Sequence, residues 1–189
     1  MEREYILGID QGSTGSKVLV VDCRGEVVCS AYRRIGSYYP HEGWVEHDPV
    51  EVWNSVRDCL IEVAGTFDFS KIRAVGISNQ RETVILWEKS TGKPVAPAIS
   101  WQCTRSQSII ECWQPLAEEI TEKTGLVNNA YFSASKIAWL FESDPGLKTR
   151  AESGELFFGN INTWILWNLT GGVEHLTDSS NAGRTMFFD

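Results

Sequence analysis

The tightest constraint on the fold lies in the first 22 residues. Two short apolar runs, Tyr5–Asp10 and Ser16–Asp22, flank the glycine-rich stretch Asp10-Gln11-Gly12-Ser13-Thr14-Gly15. Each run is too short for a stable helix, and glycine, serine and threonine between them are turn formers. The pattern predicts a hairpin. A second turn at Arg24-Gly25 leads into Glu26–Ile35, which alternates well enough to be a third strand. Two hairpins in succession make a small antiparallel meander.

Asp48-Pro49-Val50-Glu51 then opens a helix. Asp48 can cap the free backbone donors, Pro49 suits the first helical position, and Glu51 sits at the reciprocal capping position. Val52, Trp53, Val56, Cys59, Leu60 and Val63 follow with a 3.6-residue period. Ile72–Asn79 is a strand whose nearly continuous apolar run predicts burial on both faces. Thr83–Glu88 is another strand, with a turn at Ser90-Thr91-Gly92-Lys93. Strand, helix, strand in this order suggests a right-handed crossover. From Arg105 the pattern is mainly helical: 106–113, 115–124 and 133–142, with Ile137, Leu140 and Phe141 on one face. Phe157–Leu169 fits either strand or helix.

Composition narrows the function. The 189 residues carry 17 basic and 25 acidic side chains, a formal charge of −8, which argues against a nucleic-acid binder. The five cysteines (Cys23, Cys29, Cys59, Cys103, Cys112) show no CxxC spacing, and the three histidines complete no zinc pattern. No apolar stretch is long enough to span a bilayer, and no charged segment leads into a long apolar one as in a secretory signal. A cytoplasmic protein with reduced thiols, no membrane insertion and a single domain over 1–189 is the expectation.

Two clusters could carry chemistry. In the first hairpin, Gly12 and Gly15 let backbone donors approach an anion closely, while Ser13 and Thr14 add hydroxyls. Lys17 supplies positive charge, and Asp10, at the end of a buried strand, could hold magnesium through water. That set fits a nucleotide polyphosphate with its metal; the same residues also suit a plain hairpin turn. The second cluster is Asn79-Gln80-Arg81-Glu82. An arginine beside a glutamate offers a polyol both donors and acceptors, and Trp101 and Tyr131 could wall its carbon edge; surface charges and core aromatics are the alternative. In Gly43-Trp44-Val45-Glu46-His47-Asp48, the helix-capping role of Asp48 favours a structural reading. The polar segment 178–184 could line a cleft, though spacing does not decide it.

These motifs in this order resemble the amino-terminal part of the FGGY carbohydrate kinases. The resemblance rests on Gly8-Ile9-Asp10-Gln11-Gly12-Ser13-Thr14, on Gly43-Trp44-Val45-Glu46-His47-Asp48-Pro49 and on Gly76-Ile77-Ser78-Asn79-Gln80-Arg81-Glu82-Thr83. It continues through Trp101-Gln102-Cys103, Gly125-Leu126-Val127, Tyr131-Phe132-Ser133 and Asn181-Ala182-Gly183-Arg184-Thr185-Met186. It implies an α/β fold of the ribonuclease H-like, actin/hexokinase/Hsp70 ATPase type: a mixed sheet with an amino-terminal antiparallel meander and flanking helices.

ATP and magnesium are the implied cofactors and glycerol the implied acceptor, with a pentulose or other polyol as the alternative. A non-catalytic actin-like or ligand-sensing module is a further one. By resemblance Asp10 assists the metal and the reaction, and Ser13, Thr14, Gly15 and Lys17 match phosphate-binding positions. Arg81, Glu82 and Tyr131 match acceptor-binding positions, with Trp101 on the carbon skeleton. Three features depart from the usual pattern: Gly15 replaces a serine, Lys17 an arginine, and Asn128-Asn129-Ala130 an aspartate-proline stretch. The family has two domains around a cleft, with the proton-accepting aspartate and the adenine pocket in the second. This chain is expected to be the first alone, by itself inactive, with a missing carboxyl-terminal kinase domain and a second copy of itself as the candidate partners.

Overall fold

A computed structural model describes residues 4–188. In chain order the strands are β1 (Tyr5–Gly12), β2 (Gly15–Val21), β3 (Val27–Arg34), β4 (Glu46–His47), β5 (Ile72–Asn79), β6 (Val84–Glu88), β7 (Ala98–Ile99) and β8 (Leu156–Asn160). The helices are α1 (Pro49–Ala64), α2 (Gln107–Cys112), α3 (Ala117–Thr124), α4 (Ser133–Ser143), α5 (Pro145–Glu152), α6 (Ile161–Leu169) and α7 (Ser179–Ala182). The chain divides into two compact units. One comprises the residues up to Ser37 with Asp48–Gln80, the other Tyr38–His47 with the residues from Arg81 onward.

The first unit is built on a four-stranded mixed sheet in the order β3-β2-β1-β5. β1, β2 and β3 pair antiparallel as the meander the sequence predicts, and β5 joins β1 in parallel. The turn is tighter than its composition suggests. β1 continues through Asp10, Gln11 and Gly12, and Gly12 pairs with Gly15, so the loop is Ser13-Thr14 alone. Alternation along β1 and β2 turns Leu7, Ile9, Val18 and Val20 inward, where they are buried.

Helix α1 buries Val52, Val56, Cys59 and Val63. It starts where the sequence predicts, with the Asp48 carboxylate accepting from the Val50 N–H at 2.8 Å. The Glu51 carboxylate accepts from the Gly36 N–H at 2.9 Å, so it also tethers the chain leaving β3. One expectation fails. β5 is an edge strand of its sheet and largely exposed, with Val75 57% accessible. An apolar run measures a strand's capacity for burial; which neighbours cover it is set by topology.

The second unit has an antiparallel sheet in the order β4-β7-β6-β8. Val84–Trp87 of β6 are all buried, and Trp87 meets the rings of Phe157, Trp164, Trp167 and His175. The ambiguous run 157–169 is both things in turn: β8 ends at Asn160 and α6 begins at Ile161. The three predicted helices appear as α2, α3 and α4, whereas α5 and α7 went unforeseen. Both have an aspartate cap, Asp144 on the Gly146 N–H and Asp178 on the Ser180 N–H.

Arg105 explains the Trp44 motif. Its guanidinium stacks 3.9 Å from the Trp44 ring centroid and donates to Glu46 at 2.6 Å, so the segment is structural. All five cysteines are free. Among the described residues no helix is long and apolar enough to cross a membrane.

Candidate functional site

The hairpin residues lie in the first unit, together with Asn79 and Gln80 of the second cluster, whereas Arg81, Glu82, Trp101 and Tyr131 lie in the second unit. In the first unit, Asp10 stands directly opposite Lys17 across β1 and β2. Tyr32 is the β3 partner of Lys17, and Ser78 the β5 partner of Asp10. Paired residues share a face, so Asp10, Lys17, Tyr32 and Ser78 line the side opposite α1, where Asp10 and Lys17 are exposed.

The Asp10 carboxylate has no hydrogen-bond or ion-pair partner among the described residues. Those residues contain no group of three or more His, Cys, Asp or Glu able to hold a metal. One available carboxylate suits magnesium, which keeps several waters and takes one or two carboxylates together with substrate phosphates.

The loop tip is held from outside. The Thr14 carbonyl accepts from the Ile35 N–H at 3.2 Å and from the Tyr32 hydroxyl at 3.2 Å. The glycine at 15 has a local cause. A Cβ there would lie 2.4 Å from the Arg33 carbonyl oxygen and 2.5 Å from the Tyr32 hydroxyl. Gly15→Ser is therefore expected to destabilise the chain by about 1–3 kcal/mol in urea unfolding. Tyr32→Ala in the same background should recover only part, because the Arg33 carbonyl stays. A Gly15→Ser chain as stable as the parent would show that the tip has room to give.

In the second unit, Arg81 and Glu82 form the turn that leads into β6. Three surrounding segments fix it. Asn160, between β8 and α6, donates through its amide to the Arg81 carbonyl and, at 3.2 Å, to the Ser133 hydroxyl. Ser133, the first residue of α4, donates to the Glu82 carbonyl at 3.2 Å. The Trp101 N–H reaches the Thr83 hydroxyl at 3.1 Å. The Arg81 side chain is exposed and Glu82 is 3% accessible.

Tyr131 lies against Trp101, ring centroids 5.4 Å apart, and against Phe132 at 5.3 Å. In the stretch that departs from aspartate-proline, Asn129 makes an Asx turn, its side-chain oxygen accepting from the Tyr131 N–H at 2.8 Å. Beneath this segment the Lys136 ammonium is fully buried and donates to the carbonyls of Ala130, Tyr131 and Phe132 at 2.5, 2.8 and 3.0 Å.

Arg184, after α7, donates to the Glu82 carboxylate at 2.6 Å, and its guanidinium lies 4.9 Å from the Phe132 ring centroid. The structure thus brings Glu82, Trp101 and Tyr131 into one polar and aromatic cluster, with Arg81 at its edge. Sequence reasoning missed Lys136, Asn160 and the pairing role of Arg184. Lys136 left one signal, a cation on the buried stripe of a helix between Ser133 and Ile137.

Comparison with known proteins follows the same outline. The model of the "FGGY family of carbohydrate kinases, N-terminal domain" matches residues 5–189. Glycerol kinase 2 of Thermotoga maritima is 49% identical over 191 residues, which are 98% of this chain and 38% of that protein. The glycerol kinase of Shewanella frigidimarina is 46% identical over 193 residues, 99% of this chain and 38% of its own length. Among solved structures, Plasmodium falciparum glycerol kinase with ADP superposes with a TM-score of 0.91 at 37% identity, covering 99% of this chain and 38% of that one. The chain therefore spans a little over a third of the length of these relatives. The fold is that of the amino-terminal domains of these kinases, the actin/hexokinase-like ATPase type.

Proposed function

The chain belongs to the FGGY family of carbohydrate kinases, and from that premise we propose that it is the amino-terminal domain, over 1–189, of an ATP-dependent glycerol kinase. The observation that carries the reading is that the buried Glu82 carboxylate is linked through Arg184 to the Tyr131 ring and through that ring to Trp101, residues far apart in sequence. In the proposed reaction a terminal hydroxyl of glycerol attacks the γ-phosphoryl of ATP, the P–O bond to the β-phosphate breaks and ADP leaves, and the hydroxyl proton passes to the carboxylate that the family carries in its second domain, giving glycerol 3-phosphate.

Phosphoryl transfer depends almost wholly on positioning and on stabilising charge, and the roles follow from that. Glu82 accepts from one acceptor hydroxyl through the oxygen Arg184 leaves available, and Arg81 donates to another. Trp101 and Tyr131 pack on the carbon chain and exclude water from it. On the hairpin, Ser13 and Thr14 offer hydroxyls, Gly15 a close backbone approach and Lys17 a point charge for the phosphates. Magnesium, which Asp10 would hold through water, supplies charge neutralisation at the transferring phosphoryl group when bound. Five free cysteines suit a reducing, cytoplasmic setting.

The chain alone is expected to show no glycerol-dependent ADP release above background. Mixed with the remaining part of the Thermotoga maritima relative, it should release ADP with glycerol and not with a pentulose. Robust turnover by the chain alone would overturn the first expectation, and preference for the pentulose in the mixture would overturn the glycerol assignment.

A further inference from the structure

We propose that Arg184 is a positioning residue of the acceptor site: it engages Glu82 through one carboxylate oxygen, leaving the other for a polyol hydroxyl, and braces the Tyr131–Phe132 wall. This rests on the acceptor reading of Arg81, Glu82, Trp101 and Tyr131. The Glu82 side chain is only 4% accessible, and its ion pair, 2.6 Å from Oε1 to the Arg184 Nε, joins residues 102 positions apart. A buried carboxylate without such a partner pays a large desolvation cost. A glutamate held at one oxygen also has its last torsion set, and that torsion is otherwise broad.

Arg184 is itself pre-placed. Its N–H donates to the Asn181 carbonyl at 3.0 Å, and the next residue's carbonyl, that of Thr185, accepts from the Ala134 N–H at 2.9 Å. That second bond ties the turn to the first residues of α4, directly after Phe132 and Tyr131. The guanidinium then lies 4.9 Å from the Phe132 centroid and 5.6 Å from that of Tyr131. Upstream, Asp178 anchors α7 through the Ser180 and Asn181 N–H groups and side chains. Those hydrogen bonds, Ser180's foremost, hold its carboxyl down at about 2. A lysine at 184 would keep the charge and lose the planar stacking face.

The test is a glycerol titration of the 189-residue chain, read on the indole N–H resonance of Trp101 in a tryptophan-labelled sample. Thermal melting of each variant is followed in parallel. Arg184→Ala should weaken glycerol binding about 10- to 100-fold, as for losing a hydrogen bond to a charged group. Ethylguanidinium at millimolar concentration should restore much of that loss, a response that a role in stability alone does not give. Arg184→Lys should fall between the two, and it carries the test if the alanine variant does not fold.

If Arg184→Ala, or a folded Arg184→Lys where the alanine fails, binds within twofold of the parent while Arg81→Ala loses binding, the role of Arg184 is overturned and the acceptor reading stands. If the parent's Trp101 resonance does not respond to glycerol at all, both are overturned.

Discussion

At pH 6, where the ammonium carries three N–H donors, Lys136→Met should cost the chain about 2–5 kcal/mol, because three buried carbonyls lose their donor at once and unsatisfied buried polar groups are expensive. Methionine fills nearly the same space, so the loss is electrostatic and hydrogen-bonded more than steric. The Ala130, Tyr131 and Phe132 carbonyls are the three that lose it, and the wall carried by Tyr131 should loosen with them.

A pH signature separates this from generic core damage. Burial pulls the Lys136 pKa from 10.5 down to about 7, with Cys103 and Glu82 pulling it back up and Arg105 pushing it further down. Between those two values the unfolded chain binds more protons than the folded one. The contribution of this site to stability therefore rises as pH climbs from about 7 toward 10.5, and it is flat below 7. Its slope cannot exceed about 1.4 kcal/mol per pH unit. Urea unfolding at pH 7, 8 and 9 should show that rise in the parent and its absence in Lys136→Met. Parallel curves for the two proteins would sink the idea.

Glu82→Ala is the second large effect, and it separates fold from function. It strands the Arg184 guanidinium, whose side chain is 29% accessible, and it opens a cavity. A loss of about 2–3 kcal/mol is expected, toward the lower end for a broken buried pair because Arg184 retains some water. Glu82→Gln keeps the shape and an acceptor for Arg184, so its stability should drop by only about 1 kcal/mol. Both variants should lose at least about tenfold in glycerol affinity, since neither presents a carboxylate to a hydroxyl. Equal stability of the two, or glycerol binding retained in Glu82→Gln, would contradict this account of the carboxylate.

The departures at the hairpin and before Tyr131 are reinterpreted by the structure. Gly15 belongs with Tyr32: the phenol lies across the loop tip where any side chain at 15 would stand. Asn129 supplies the turn that positions Tyr131. Gly15 and Asn129 are thus each locally matched, and nothing in the structure explains the lysine at 17. Tyr32 and Asn129 could not be assigned these tasks from sequence, because each acts on a neighbour whose position depends on a strand register or a turn geometry.

Local pattern was enough to foresee the meander, the Asp48 cap, the apolar stripe of α1 and most of the helices. These depend on contacts within a few residues: alternation, capping and the 3.6-residue period act before the chain has collapsed. The paired Arg81 and Glu82, and the Asp10 and Lys17 that flank the loop, stood out in the sequence only as candidates, beside a plain-turn and a surface-charge reading. Only the tertiary structure decided that β5 sits at a sheet edge, that Lys136 is a buried donor to three carbonyls, and that Arg184 returns from 102 positions away to hold Glu82. The physical reason is range. Propensity and periodicity report what a segment can bury or cap, whereas the partner it meets is fixed by chain topology, and a side chain's charge acquires its role from that partner.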